Sequence, residues 1–218
     1  MQSYSTKSGD YFAHARREIE PLLPHECGRV LEIGCGSGAT LGWLRQDHHA
    51  ARTVGVEIAE EAAVKARGFV DEVHCLDFER HDLPSGTQKF DLVLCLDVLE
   101  HMVDPWAVVG RLATQYLDVG GTLLVSLPNV RHYSVVLPLL FGGRWNYEDA
   151  GLLDRTHLRF FTKASAKALL AHPQFGQVTC TAAGFDDWSV KSTLNAMTLG
   201  VFQELVTYQY FLSASKVR

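Results

Sequence analysis

The chain has 218 residues, 47% of them hydrophobic, enough to bury one substantial core in a single domain and too few for two domains of ordinary size. A formal charge of −5 excludes a nucleic-acid binder that works through a strongly basic face. The five cysteines, Cys27, Cys35, Cys75, Cys95 and Cys180, have no CxxC or zinc-type spacing, so they read as thiols of a reducing compartment and predict no metal site.

In chain order, "DYFAHARREIEPLLP" carries apolar and charged residues at helical spacing and is closed by Pro24, which predicts an N-terminal helix over about 10–23. "RVLEIG" reads as a buried strand, and its glycines open the helix "ATLGWLRQDHH". A strand "RTVGVE", a helix "EEAAVKARG" and a strand around "VDEVHCL" complete a βαβαβ half. The second half starts with the strand "KFDLVLCLD", continues through the helix "DPWAVVGRLATQYL", opened by Asp104, and reaches a fifth strand "GGTLLVSLPN". Alternating strands and helices predict a parallel sheet covered on both faces.

From Asn129 to Thr162 the sequence reads as irregular, aromatic and charged, an insertion placed as a lid over an acceptor. Helix resumes at "TKASAKALLA" with Thr162 as its cap, and "GQVTCTAAG" reads as a sixth strand. A helix "SVKSTLNAMTLGVFQEL" leads to "VTYQYFLSASK", whose alternation at Val206, Tyr208, Tyr210 and Leu212 predicts a half-buried last strand. No repeat or linker divides the chain, so the whole of 1–218 is expected to be one domain. The N-terminal stretch has no secretory pattern, and no apolar run reaches the roughly 20 residues of a spanning helix, so a cytoplasmic protein with no membrane partner is expected.

The turn "GCGSGA" brings main-chain N–H groups to a helix N-terminus without a screening Cβ, a device for holding a ligand that a nicotinamide dehydrogenase would share. Glu57 ends the neighbouring strand about 20 residues further on, where a carboxylate accepts hydrogen bonds from ribose hydroxyls. Asp77 and Phe78 follow the third strand, where they offer an acceptor for an amino group and an apolar surface for a ring. Glu32 stands inside "LEIGCGSG". A carboxylate there repels a pyrophosphate and suits a ligand with an ammonium group and a sulfonium centre, which is S-adenosylmethionine.

With these features the sequence resembles the class I S-adenosylmethionine-dependent methyltransferases. "VLEIGCGSG", "VGVE", "CLDFE" and "FDLVLCLDVLEHMVDP" are similar to four successive motifs of that family. The resemblance implies a Rossmann-like α/β fold: a doubly wound, mostly parallel seven-stranded sheet with an antiparallel last strand and helices on both faces. It implies that Gly34, Cys35, Gly36 and Gly38 line S-adenosylmethionine, with S-adenosylhomocysteine as product. Glu57 and Ile58 then lie along the ribose, Asp77 and Phe78 contact the adenine, Glu32 orients the amino-acid portion, Leu96 passes nearby and Tyr11 closes over the methionine part. The distal segment "PNVRHYSVVLPLLFGGRWNYEDAGLLDRTHLRFFT" resembles a bacterial branch of the family often associated with surface-glycan synthesis.

In an open α/β sheet the site lies beyond the carboxyl ends of the strands. That rule selects His101, His132 and His157 from ten histidines as candidates to take a proton from an alcohol acceptor. Asp154, three residues before His157, is placed either to fix its tautomer or to cap a local turn. Arg131, Arg144, Arg155 and Arg159, interleaved with Tyr133, Trp145 and Tyr147, form a candidate wall for an acidic or sugar-containing acceptor. The expected reaction is O-methylation of a sugar, nucleotide-sugar or other polar metabolite. N- or C-methylation, and a non-catalytic cofactor-binding partner protein, are the alternatives.

Overall fold

The computed structural model describes residues 14–183 and 202–218. Ahead of the sheet, Arg17–Leu22 forms a 3-10 helix with Pro21 inside it. Within the described part of the expected N-terminal helix over about 10–23, the helical turns are of the tighter 3-10 type and span Arg17–Leu22. Proline has no N–H to give, and its ring clashes with the carbonyl one α-turn back. Tyr11 lies outside the described residues, as does most of "SVKSTLNAMTLGVFQEL"; its described end, from Phe202, enters a short helix over Gln203–Val206.

Seven strands form one sheet: β1 (Arg29–Ile33), β2 (Arg52–Glu57), β3 (Glu72–Cys75), β4 (Phe90–Leu96), β5 (Leu117–Pro128), β6 (Thr179–Ala183) and β7 (Gln209–Ser215). Their order is β3-β2-β1-β4-β5-β7-β6. The first five are parallel, and β7 runs antiparallel to both β5 and β6. Strand order reverses between β1 and β4, so a crevice opens beyond the carboxyl ends of these two strands.

The central strands are apolar on both faces because helices cover both. Alternate residues feed two separate cores. Leu31, Ile33, Val93, Cys95, Leu123 and Val125 pack with Val108 and Val109 of α3 (Pro105–Arg111) and Ala166 and Leu169 of α5 (Lys163–Leu169). Val30, Leu92, Leu94, Leu96 and Leu124 pack on the other face with Leu41 and Leu44 of α1 (Ala39–Asp47) and with Ile19. The half-buried reading of the last strand is corrected: Tyr210, Phe211 and Leu212 are all buried. β7 lies between two strands, and Phe211 joins the α1-side core.

Beside β2, α2 spans Glu60–Ala66. Asp104 caps α3 by accepting from the Ala107 N–H at 3.0 Å, and Thr162 caps α5 in a reciprocal box with Ser165. α3 runs on into a π-turn, Leu112–Tyr116, before β5.

The segment 129–162 is not irregular throughout. It contains a ten-residue helix, α4 (Tyr133–Gly142), which carries Pro138 inside it and ends on Gly143 at φ 58°. Leu137, Leu139, Leu140 and Phe141 of α4 are exposed, so its apolar residues show no face pattern from which a helix would be read. The excursion leaves and returns at one place: Asn129 bridges Phe161, and the Val130 N–H donates to the Phe161 carbonyl at 2.9 Å. Among the described residues no helix is long and apolar enough to cross a membrane.

Candidate active site

Beyond the carboxyl ends of β1, β2 and β4 lies a cavity of about 350 Å³. The turn after β1 is built by hydrogen bonds rather than by glycine alone. The Gly34 and Cys35 N–H groups donate to the Val56 carbonyl at 2.8 and 3.0 Å, which bends the chain across the end of β2. Glu57 then closes the turn: its carboxylate accepts from the Gly36 N–H at 2.9 Å and from the Ala59 N–H at 2.9 Å. Gly34 has φ 73°, and a Cβ there would meet the Val98 side chain at 2.9 Å. Gly38, at φ 80°, begins α1 and lies against Val70 and Ala66.

Of the residues the sequence assigned to the cofactor, Glu32, Gly34, Cys35, Glu57, Ile58, Asp77, Phe78 and Leu96 line this cavity. Gly36 and Gly38 shape the turn from behind it. The Cys35 sulfur is turned towards Gly55, the one residue of β2 with no side chain to obstruct it, and burial raises its thiol pKa. Phe78 is fixed between the Tyr116 ring at 5.5 Å and the Arg111 guanidinium at 4.5 Å. Asp77 does local work as well, accepting from the Glu79 N–H at 3.0 Å.

Five carboxylates line the cavity, from Glu32, Glu57, Asp77, Glu79 and Asp97, against one guanidinium, Arg16. Arg16 is itself committed to ion pairs with Asp97 and Glu18. Glu32 is 3% exposed, and its Oε2 has no hydrogen-bond partner. Burial, offset in part by Arg16 and reinforced by Glu57, pushes its carboxyl up to about 8. An orphaned acidic oxygen facing an acid-rich cavity suits a ligand that brings a positive charge and hydrogen-bond donors, and opposes a diphosphate.

Arg16 and Asp97 were missed in the sequence. Asp97 is the first residue after β4, a position the strand-end rule reaches, and it sits in the left-handed region at φ 53°. Its carboxylate takes hydrogen bonds from Ser126, Gln209 and Arg16, which knits β4, β5, β7 and the entrance segment together. Arg16 carries no motif; only the fold brings it to the cavity.

A second cavity of about 140 Å³ adjoins the first and shares Asp97 and His101 with it. Glu100, Asp154, His157, Tyr208 and Gln209 also line it. The Leu158 and Arg159 N–H groups donate to the Glu100 carbonyl at 2.8 and 3.0 Å, tying the return of the excursion to the turn Leu99–His101. That contact brings the His101 and His157 rings to 4.7 Å, edge to face. His101 Nδ1 lies 3.1 Å from the Thr156 carbonyl, and His157 Nδ1 lies 3.2 Å from the Leu152 carbonyl. Asp154 accepts from the N–H and hydroxyl of Thr156 at 2.8 and 2.6 Å, so it caps the local turn, and its main-chain carbonyl accepts from the His157 N–H at 2.9 Å.

His132 serves as the cap of α4, with Nδ1 2.8 Å from the Ser134 hydroxyl, and lines neither cavity. The arginine wall does not assemble around them either. Arg131 pairs with Glu204, Arg155 with Asp149 at 3.0 Å, and Arg159 donates to the Val103 carbonyl. Arg144 lies over Gly142, and Trp145 stacks edge-on against Phe160 at 5.1 Å. Tyr133 packs on His132, while Tyr147 is exposed.

Residues 9–179 match the family model described as "Methyltransferase domain". A ubiquinone biosynthesis O-methyltransferase of Azorhizobium caulinodans is 32% identical over 191 residues, covering 83% of this chain and 72% of that protein. One from Coxiella burnetii is 29% identical over 133 residues, 58% of this chain; the match spans only about half, 54%, of that relative. Among solved structures, a SAM-dependent methyltransferase from Archaeoglobus fulgidus superposes with a TM-score of 0.66 at 18% identity, over 96% of this chain and 95% of that one. The plantazolicin methyltransferase in complex with SAH gives a TM-score of 0.60 at 18% identity, over 88% and 77%. By this match, and by a sheet order and crevice that agree with it, the chain belongs to the class I methyltransferase-domain family, whose cofactor is S-adenosylmethionine.

Proposed function

We propose that the chain is an S-adenosylmethionine-dependent O-methyltransferase acting on a small hydroxyl-bearing acceptor held in the second cavity. One observation carries the reading: the acid-rich cavity at the strand ends and the cavity of imidazoles and carboxylates meet at Asp97 and His101. The name of the relatives, O-methyltransferase, supports oxygen as the atom modified.

Bound S-adenosylmethionine supplies a methyl group on a positively charged sulfur, which leaves as a neutral thioether when the acceptor oxygen takes the methyl. Glu57 keeps lone pairs for ribose hydroxyls beyond those spent on Gly36 and Ala59. Asp77 and Phe78 receive the adenine. Glu32 faces the ammonium group, and Arg16, held by Asp97, answers the carboxylate. This division holds both reactants across one boundary, and alignment of that kind supplies much of the acceleration of a methyl transfer.

His101 stands on the boundary, with His157 and Glu100 behind it. Their task is to accept the proton that the acceptor hydroxyl gives up as its oxygen takes the methyl. A cavity lined by Asp97, Glu100, Asp154 and two histidines favours a neutral, hydroxyl-rich acceptor such as a sugar or phenolic diol over an acidic one. Acceptor charge at the arginines of 131–159 is then a surface matter.

The test is transfer of labelled methyl from S-adenosylmethionine to fractionated hydroxylated metabolites, beside calorimetric binding of S-adenosylhomocysteine. The wild-type chain is expected to bind the product and label an alkali-stable ether. His101→Gln should lose labelling at least 100-fold while product affinity stays within about threefold. Tight NADH binding with none for S-adenosylhomocysteine overturns the reading.

A further inference from the structure

The second cavity has two unlike walls. Glu100, His101, Asp154 and His157 make one of them polar, and Glu100 is 1% exposed with its Oε2 without a hydrogen-bond partner. A buried carboxylate oxygen in that state is placed to accept from a ligand hydroxyl. Pro128, Gly151 and Tyr208 make the other wall, and the phenol ring is its largest apolar surface.

Tyr208 is built into this wall at both ends. Its main-chain carbonyl accepts from the Asn129 N–H at 2.9 Å, and the Asn129 side-chain amide donates to the neighbouring Thr207 carbonyl at 2.8 Å. Its ring meets the His132 ring at 5.5 Å, close to perpendicular at 74°. At the tip, the phenol oxygen lies against Gly151, 3.2 Å from where a Cβ would stand. Gly151 has φ 88°, so a glycine there both allows the turn and leaves room for the hydroxyl. Although fixed in this way, Tyr208 remains 42% exposed. A ring held at its base and its tip with surface still open offers a ligand a platform that needs little ordering on binding.

We propose that Tyr208 is a specificity-determining residue whose ring carries the C–H face of a pyranose-type acceptor, with the acceptor hydroxyls turned to the opposite wall. The inference rests on the proposed function and names its substrate class. A saturated sugar ring has an apolar face of C–H groups and a rim of hydroxyls, which matches a cavity with one aromatic and one acid-rich wall. The C–H hydrogens carry partial positive charge and meet the electron-rich face of the phenol ring, while Glu100 Oε2 accepts from a hydroxyl. A flat aromatic acceptor would turn an electron-rich face to those carboxylates, which repel it. An acyclic polyol has the same hydroxyls, lacks a continuous apolar face and loses more conformational freedom on binding. At about 140 Å³ the cavity is on the scale of one ring, below the roughly 300–1,000 Å³ of sites for larger ligands.

The sequence counts Tyr208 among the inward positions of a strand. In the fold β7 begins at Gln209, which pairs with Pro128 at the end of β5, so Tyr208 stands one residue ahead of the strand at the crevice edge of the sheet.

The experiment is saturation-transfer NMR on the full chain loaded with S-adenosylhomocysteine, with the methyl pyranosides of glucose, galactose, mannose and rhamnose beside sorbitol and phenol, followed by labelled-methyl transfer to the same compounds. At least one pyranoside is expected to receive saturation through its ring C–H protons, more strongly than sorbitol or phenol, and to be methylated. Tyr208→Leu should raise KM for that pyranoside roughly tenfold, a larger change than any in kcat, and Tyr208→Phe should restore KM to within about threefold of wild type. If Tyr208→Leu fails to fold, wild-type chain deuterated everywhere except at tyrosine decides: saturation passing from tyrosine ring protons to the pyranoside supports the platform, and none passing overturns it. No response from any pyranoside, an equal response from sorbitol, a stronger one from phenol, or an unchanged KM in Tyr208→Leu each overturns it. Product binding with methyl transfer to phenol alone rejects the Tyr208 platform and leaves the O-methyltransferase reading standing, whereas absent product binding rejects that reading itself.

Discussion

The Ser126 hydroxyl and Asp97 hold each other twice: Ser126 Oγ–H donates to Asp97 Oδ1 at 2.8 Å, while the Asp97 N–H donates to the same Ser126 oxygen at 2.9 Å. Ser126 is fully buried on β5, so this pair fixes the first residue after β4 in a left-handed conformation that a non-glycine residue rarely adopts. The same carboxylate then anchors Arg16 at the mouth of the cavity. Asp97→Asn keeps a side chain that tolerates this backbone and removes the charge. It is expected to leave the fold intact and to weaken S-adenosylhomocysteine binding roughly tenfold, because Arg16 loses its anchor. Ser126→Ala leaves the Asp97 N–H without its acceptor and should cost about 1–3 kcal/mol in urea unfolding. Product affinity unchanged in Asp97→Asn would detach Arg16 from the cofactor site.

Glu57 joins structure and binding in one carboxylate. Replacing it with alanine removes the acceptor for Gly36 and Ala59 together, so the turn after β1 loses its closure. Glu57→Gln retains one acceptor oxygen. The expected order of product affinity is wild type, then Glu57→Gln weaker by about tenfold, then Glu57→Ala weaker by 100-fold or more. Calorimetry at fixed pH reads the series, and equal affinities for all three would remove Glu57 from the ribose.

What the sequence shows of this fold is set by the range of each signal. The strands, the glycine turn, Glu57 and the caps Asp104 and Thr162 are local patterns, and each is where the sequence places it. The helix α4 was hidden because Pro138 and an apolar residue at nearly every position break the period that marks a helix. The charged residues of 129–162 suggested a wall, but charge alone does not say whether an arginine faces a cavity or a neighbour such as Glu204 or Asp149. Arg16, Glu100 and the pairing of His101 with His157 depend on contacts between distant segments, to which spacing is blind.

Gly34 tests the turn itself. Alanine there must hold φ near 73° and place its methyl 2.9 Å from the Val98 side chain. The left-handed backbone costs about 1 kcal/mol and the clash more, so Gly34→Ala should lose roughly 2 kcal/mol or more of stability. Adding Val98→Ala relieves the contact and not the backbone. The double variant should recover part of the loss against Val98→Ala alone, and a fully additive pair would show that the methyl has room.

Glu32 gives the binding reaction a pH dependence of definite sign. With its carboxyl at about 8 in the folded chain and near the ordinary 4.5 when unfolded, the folded state holds the extra proton between those values. Stability from this group is therefore greatest below pH 4.5 and declines as pH rises towards 8, and Glu32→Gln should flatten that part of the profile. Ligand binding runs the other way. A positively charged ammonium group favours the carboxylate, so binding at pH 6–7 should release a proton and affinity should rise with pH, by up to tenfold per unit, levelling off near 8. Calorimetry of S-adenosylhomocysteine in two buffers of different ionisation enthalpy measures that proton directly. In Glu32→Gln the release should vanish and affinity should fall. Binding with no proton release in the wild-type chain would mean that the ammonium group is met elsewhere in the cavity, and the acidic lining would then act through Asp97 or Glu79 instead.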